Sequence, residues 1–274
     1  MGSLFLADHQ RVTNLPLIIG HRGASAIAPE NTIAAFARAI QDGADGIEFD
    51  VRLSRDGVPV VIHDATLART GLIDGEVADL SAEVLGRTDV GTWFSQRSNT
   101  TSNVGFHNEK LPSLQQVFEL FSDSGAVLYL EMKGQPGDQR LATEVTVAIN
   151  KNAIASRVVV SSFDLSLLQA VKTLDSGIRT AALFEPKVSH PATWIRRLKL
   201  IDLARACGAD EICLHHTLAS PRVTEQAKSL HLEVVVWTVD NPEWIERARS
   251  RGVKALITND PASMLLHRKT RASI

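Results

Sequence analysis

Cysteine is scarce in this 274-residue chain: Cys207 and Cys213 are the only two, both in apolar surroundings. Two thiols without a metal-site pattern of Cys and His exclude a disulfide-rich secreted scaffold and a zinc module, and they fit buried thiols in a reducing compartment. Charge of one sign is missing as well. The chain carries 29 basic and 31 acidic residues, a formal net charge of −2, and no Lys/Arg run exceeds two residues. That balance argues against a nucleic-acid partner, which would need a basic face. Long hydrophobic runs are also absent. None reaches the roughly 18 residues of a membrane-spanning helix. Leu4-Phe5-Leu6-Ala7 has no basic segment before it and meets Asp8 directly after, which does not make a signal peptide. Cytoplasmic location is the default expectation, with a small molecule as the partner and the oligomeric state left open.

What the chain does contain is enough apolar residue, 44%, for one large core. From Leu17 onward short apolar runs alternate with helical stretches, the rhythm of βα units and a parallel sheet. Strands are expected at 17–20, 46–51, 127–132, 157–162, 179–184, 211–215, 233–238 and 255–258. Helices are expected at 32–42 with Asn31 as N-cap, at 113–123 with Ser113 as N-cap, and at 140–151, 165–174, 193–206, 221–229, 242–250 and 261–267. Eight such units close into a (β/α)₈ TIM barrel, a fold of about 250 residues. The expected organisation is an N-terminal extension over 1–16, one barrel over 17–268 and a tail over 269–274. The Asp56-Gly57 turn signal predicts a hairpin that returns 58–63 antiparallel to 49–54 and sets His63 opposite Asp50. Residues 66–112 break the rhythm with five glycines and a polar run from Ser95 to Asn103. They are expected to form a small excursion over the site rather than a structureless loop.

Chemistry concentrates between Leu17 and Thr70. His21, Glu48, Asp50 and His63 each stand at or near the end of an apolar strand, where barrels build their sites. Glu48 and Asp50, at i and i+2 on a strand, point to one face while Phe49 points to the other. Two such carboxylates repel unless a cation lies between them. Glu131, ending the strand in Leu130-Glu131-Met132-Lys133, supplies a third oxygen ligand, and an all-carboxylate set suits Ca²⁺ or Mg²⁺ over zinc. Two imidazoles, His21 and His63, provide a base for a nucleophile and an acid for a leaving group. Arg22 and Lys133 offer cationic donors for phosphate oxygens. Metal, anion binders and paired imidazoles together are what phosphate-ester cleavage needs.

At these residues the chain resembles the glycerophosphodiester phosphodiesterase family. The strings that carry the likeness are GHRGASAIAPENTIAAFARAIQDGADGIEFDVRLSRDGVPVVIHDATLARTG, LEMKG, SSFD, WTVD and ITNDP, spanning about Leu17 to Pro261. The first is long and specific. The resemblance implies a TIM barrel, a divalent metal, and hydrolysis of glycerophosphodiesters to an alcohol and sn-glycerol 3-phosphate through attack of the glycerol 2-hydroxyl and a cyclic phosphate. It implies His21 and His63 as the acid/base pair, Glu48, Asp50 and Glu131 as metal ligands, and Arg22 and Lys133 as phosphate binders. Phe163 and Trp237 match positions of apolar substrate contact, and Glu30-Asn31-Thr32 matches a string that shapes the first loop and helix start. Residues 66–112 match the family's insertion, which would cover the glycerol side. One departure stands out: the usual WTVN ends here as Trp237-Thr238-Val239-Asp240. Rival readings are a phospholipase relative that stops at the cyclic phosphate, a Schiff-base aldolase using Lys133, and a non-catalytic barrel that only binds metal and phosphate.

Overall fold

A computed structural model describes residues 15–97, 105–135, 137–186 and 199–272, with side chains described to residue 268. Nine strands form one sheet. Eight of them, β1 (Leu17–His21), β2 (Gly46–Leu53), β4 (Val127–Met132), β5 (Val158–Ser162), β6 (Arg179–Phe184), β7 (Glu211–His215), β8 (Glu233–Trp237) and β9 (Ala255–Thr258), run parallel. β1 pairs with both β2 and β9, so the sheet closes into a barrel. The strands read as near-continuous apolar runs because both of their faces are buried. Inward, a compact cluster that includes Ile19, Tyr129, Val159, Cys213, Val235 and Ile257 fills the barrel. Outward, Phe36, Phe49, Val160, Ile212 and their neighbours pack beneath the helices. The two cysteines fall one in each layer, both buried as free thiols.

The helices follow the expected order: α1 (Ile33–Gln41), α4 (Leu114–Leu120), α5 (Gln139–Lys151), α6 (Leu165–Leu174), α7 (Leu200–Ala206), α8 (Pro221–Ser229), α9 (Trp244–Arg251) and α10 (Pro261–Ala272). Ser113 and Gln116 form a capping box that starts α4. The expected helix at 193–206 is seen from Leu200, and its part before 199 lies outside the described residues. The same holds for 1–14 of the expected N-terminal extension, while α10 runs on through residues 269–272. No helix among the described residues is long and apolar enough to cross a membrane.

Two local expectations are corrected. Thr32, not Asn31, caps α1: its Oγ1 accepts from the Ala35 N–H at 3.1 Å. Asn31 is unavailable because its side chain is bound to Asp50. The hairpin of β2 with β3 (Pro59–Val61) is shifted by one residue, pairing Val51 with Val61 and Leu53 with Pro59. Its turn holds three residues, closed by the Ser54 N–H on the Val58 carbonyl, with Gly57 at φ 83°. Ile62 therefore donates its N–H to the Asp50 carbonyl, and His63 lies one residue beyond it.

Residues 66–112 contain a 3₁₀ turn (Val77–Asp79), α2 (Ala82–Leu85) and α3 (Thr92–Arg97). Leu67, Val77, Leu85, Val90 and Leu111 join Val60 and Ile62 of the hairpin in a small core of their own, which seats the insertion against β3.

Candidate active site

Strand register assembles the site at the carboxyl ends of the strands, as expected for a barrel. His21 of β1 pairs in register with Glu48 of β2, and Asp50 of β2 with Glu131 of β4. Phe49 points outward onto Phe36, ring centroids 5.8 Å apart, which leaves its two neighbours facing in. Glu48, Asp50 and Glu131 thus bring one oxygen each within 4.8 Å of one another while only 5%, 0% and 8% exposed.

Two cations are fixed against this cluster. Arg22 Nε lies 3.1 Å from Asp50 Oδ2, and Lys133 Nζ lies 2.7 Å from Glu131 Oε1 and 3.4 Å from Asp50 Oδ1. Burial and the repulsion of its neighbours Asp50 and Glu131 push the Glu48 carboxyl well above the usual range. The same forces, burial first and then Asp50, raise Glu131 to about 7. Asp50 goes the other way: burial opposes its charge, but Arg22 and Lys133 hold it down at about 2. Asp50 Oδ1, although buried, accepts no hydrogen bond. Three buried carboxylates, two of them resisting ionisation, and an orphaned oxygen make a donor set that fits a hard divalent cation.

The site's backbone is bent to serve it. Arg22 and Asn31 both adopt left-handed φ, 55° and 58°, uncommon for residues with a side chain. In that conformation the Arg22 N–H donates to Glu48 Oε2 at 3.0 Å. Asn31 clamps Asp50, donating to Oδ2 at 2.9 Å and accepting from its N–H at 3.2 Å. Gly23 follows at φ 85°, where a Cβ would lie 2.5 Å from the Ala35 carbonyl carbon, so the turn after β1 requires glycine.

The two imidazoles have different partners. His63 Nδ1 stands 2.7 Å from Asp64 Oδ1, and Asp64 is held by Arg69 Nε at 2.6 Å. Arg69 then grips Glu30 with both terminal nitrogens at 2.7 Å, and Glu30 takes Arg22 Nη1 at 2.8 Å. A continuous chain of charges therefore links His63 to Arg22. His21 Nδ1 instead stands 2.7 Å from Asn259 Oδ1, while its Nε2 lies 3.9 Å from Glu48 Oε2. Burial, aided by the Arg22 charge, lowers His21 to about 4, and burial is also the main reason His63 falls below its ordinary value.

Both imidazoles, Arg22, Lys133, Glu48 and Glu131 line one cavity of about 440 Å³. Phe163 and Trp237 line it too, as an edge-to-face pair 5.6 Å apart. Phe163 is 39% exposed and so is no core residue, whereas Trp237 also packs on the barrel's inner cluster. The described residues of 66–112 do not line this cavity and reach the site through Arg69. Lys133 is raised above its ordinary value: burial opposes its charge, but Asp50 and Glu131 prevail. An ammonium so held is unsuited to Schiff-base formation, which needs the free amine.

Sequence reasoning passed over Asn259, Arg69 and Glu30 as site residues. Asn259 was within reach of the rule that found His21, since both close strands that pair with each other. Glu30 entered only as part of the Glu30-Asn31-Thr32 string and Arg69 not at all, because the link that joins them spans 39 residues.

Comparisons with known proteins give the family. Residues 21–263 match the model of the glycerophosphoryl diester phosphodiesterase family. A glycerophosphodiester phosphodiesterase of Caldanaerobacter subterraneus is 34% identical over 255 residues, covering 91% of this chain and 96% of that protein. Among solved structures, a phosphodiesterase of Oleispira antarctica, in complex with the product sn-glycerol-3-phosphate, is 25% identical with a TM-score of 0.79, covering 93% of this chain and 97% of that one. A glycerophosphodiester phosphodiesterase of Agrobacterium tumefaciens is 26% identical with a TM-score of 0.75, covering 92% and 99%. The chain belongs to the glycerophosphoryl diester phosphodiesterase family and is an enzyme of that class.

Proposed function

We propose that this enzyme hydrolyses glycerophosphodiesters to an alcohol and sn-glycerol 3-phosphate, with His21 and His63 as its acid/base pair. The observation that carries the reading is the single cavity that both imidazoles share with the carboxylate cluster, Arg22 and Lys133. Glu48, Asp50 and Glu131 hold one divalent ion, Ca²⁺ or Mg²⁺. When bound, that ion would supply the positive charge that offsets charge on the phosphoryl group and lowers the pKa of the attacking hydroxyl.

His21 takes the proton from the 2-hydroxyl, whose oxygen attacks phosphorus. His63 gives a proton to the departing alcohol oxygen as the P–O bond breaks, leaving a five-membered cyclic phosphate. Water then opens that ring with the two roles reversed: His63 takes the water proton and His21 returns one to the 2-oxygen. The partners of the two rings support this division. Asp64 beside His63 Nδ1 steadies a ring that must carry a proton, while Asn259 beside His21 Nδ1 is uncharged. Arg22 and Lys133 orient the phosphate and balance charge on its oxygens. Phe163 and Trp237 pack against the substrate's carbon skeleton. The two free, buried thiols suit a cytoplasmic setting.

The test is a coupled assay for sn-glycerol 3-phosphate released from a panel of glycerophosphodiesters, run with EDTA, Mg²⁺ and Ca²⁺ in parallel. Metal-dependent release is expected, and the panel ranks the alcohol groups. A cyclic phosphate accumulating as the final product, or no release under any metal, overturns the reading.

A further inference from the structure

Arg69 does not line the cavity, yet its guanidinium joins the side chains that hold two of the groups that do, His63 and Arg22. Its Nε donates to Asp64 Oδ2 at 2.6 Å, and Asp64 Oδ1 stands 2.7 Å from His63 Nδ1. Each oxygen of that carboxylate has its own partner, so the group cannot turn without losing one. The hold matters because the His63 side chain is 32% exposed and the Asp64 side chain 26%. A pair so open to water contributes little unless its geometry is fixed.

Arg69 is itself held on two sides. Nη1 and Nη2 donate to the two oxygens of Glu30 at 2.7 Å each, a bidentate fork. The Glu30 oxygen that takes Arg69 Nη2 also takes Arg22 Nη1 at 2.8 Å. On the other side stands the Trp93 ring of α3, with Arg69 Cζ 5.6 Å from its centroid. Trp93 is buried and anchored by its Nε1–H on the Val90 carbonyl at 2.8 Å. Only a planar group with several donors can meet Asp64 and Glu30 together while lying against a ring; an ammonium cannot.

We infer that Arg69 is a positioning residue for the acid of the first step: it fixes Asp64, and through it the His63 ring, in a frame that also holds Arg22. This rests on the reading of His63 as that acid. Without Arg69 the His63 ring still carries a proton but no longer aims it at the departing oxygen. The loss therefore falls on substrates whose alcohol needs that proton as the P–O bond breaks, such as glycerophosphocholine. A p-nitrophenyl ester of sn-glycerol 3-phosphate differs, because p-nitrophenolate leaves as the anion and takes no proton. Proton removal by His21 and charge balance by Arg22 and Lys133 are common to both substrates, so any disturbance of Arg22 through Glu30 falls on both alike.

The experiment follows alcohol release from these two substrates in a single turnover, with the full chain in excess and Mg²⁺ present, so that only the first step is read. His63→Ala should slow choline release by about 10²–10⁴-fold and p-nitrophenol release by less than about tenfold. Arg69→Gln should show the same selectivity, with choline release falling about 10²-fold further than p-nitrophenol release. Arg69→Lys, which keeps the charge without the fork, should show it at about tenfold, and it carries the comparison if Arg69→Gln does not fold. A merely structural residue would slow both substrates equally. Equal loss, or no loss, in the Arg69 variants beside a selective His63→Ala overturns the inference and leaves His63 as the acid. A His63→Ala protein that does not distinguish the two substrates overturns the reading of His63 and the inference together.

Discussion

The barrel interior holds two buried polar clusters, one at each end, and they are balanced in opposite ways. At the floor, Glu211 is 1% exposed and fully partnered. It accepts from Tyr129 Oη at 2.8 Å and from Lys254 Nζ at 2.7 Å, with Arg179 Nη1 3.7 Å away. One carboxylate there meets two cations and a phenol. At the opposite end three carboxylates meet two cations, and Asp50 Oδ1 accepts no hydrogen bond, having only the Lys133 ammonium 3.4 Å away. Burying ionised groups is expensive unless they are paired. The floor is complete as it stands, so it needs nothing beyond the chain. The upper cluster is short of positive charge, a shortfall that a divalent cation would make good. Incomplete compensation, not burial or charge alone, separates a binding centre from a structural plug.

This contrast predicts that damage at the upper end costs turnover and damage at the floor costs stability. The largest effect is expected from His21→Ala or His63→Ala, each lowering kcat by about 10²–10⁴-fold. Metal affinity and melting temperature should remain near wild type in both, as read by calorimetry. Near-normal turnover in either variant would remove that imidazole from the mechanism. Next comes Glu211→Gln, which leaves Lys254 and Arg179 facing an uncharged amide. It should destabilise the protein by about 3–5 kcal/mol in urea unfolding while kcat of the folded fraction is unchanged. A stable Glu211→Gln protein would collapse the distinction between the two clusters.

The smallest effect lies in the pH dependence of the metal-free protein. Glu131 is raised from 4.5 to about 7 in the folded state, so the folded protein binds more protons than the unfolded chain between those values. Stability from this group is fully present below about 4.5 and is lost as pH rises through 7, on the order of 3 kcal/mol. Glu48 acts in the same direction. Asp50, lowered from 3.8 to about 2, contributes stability above 3.8 that is lost as pH falls through 2. Glu131→Gln, or saturation with Mg²⁺, should flatten the loss between pH 4.5 and 7. A slope that persists in Glu131→Gln would assign it elsewhere.

The strands and their polar ends were legible because periodicity and burial are local properties of the sequence. Glu48, Asp50, Glu131, His21 and His63 each announce themselves by ending an apolar run, and the structure brings all five together. What escaped depended on competition between distant partners. Asn31 has every mark of a helix N-cap, yet Asp50, nineteen residues on, claims its side chain and Thr32 caps the helix instead. The hairpin register turned on whether its loop held three residues or four, which the Asp56-Gly57 signal leaves unspecified. Asp240 was visible as a departure from the family string, but its hydrogen bonds to Thr258 and Asn259 were not.

Calorimetric titration of Mg²⁺ and Ca²⁺ into chelator-treated protein tests the central claim most directly. Single-site binding is expected, with proton release below about pH 7 as the raised carboxyls of Glu48 and Glu131 ionise. That binding should be lost in Asp50→Asn and Glu131→Gln and kept in Glu211→Gln. Binding that survives both substitutions in the upper cluster, or no binding to the wild type, would contradict the account.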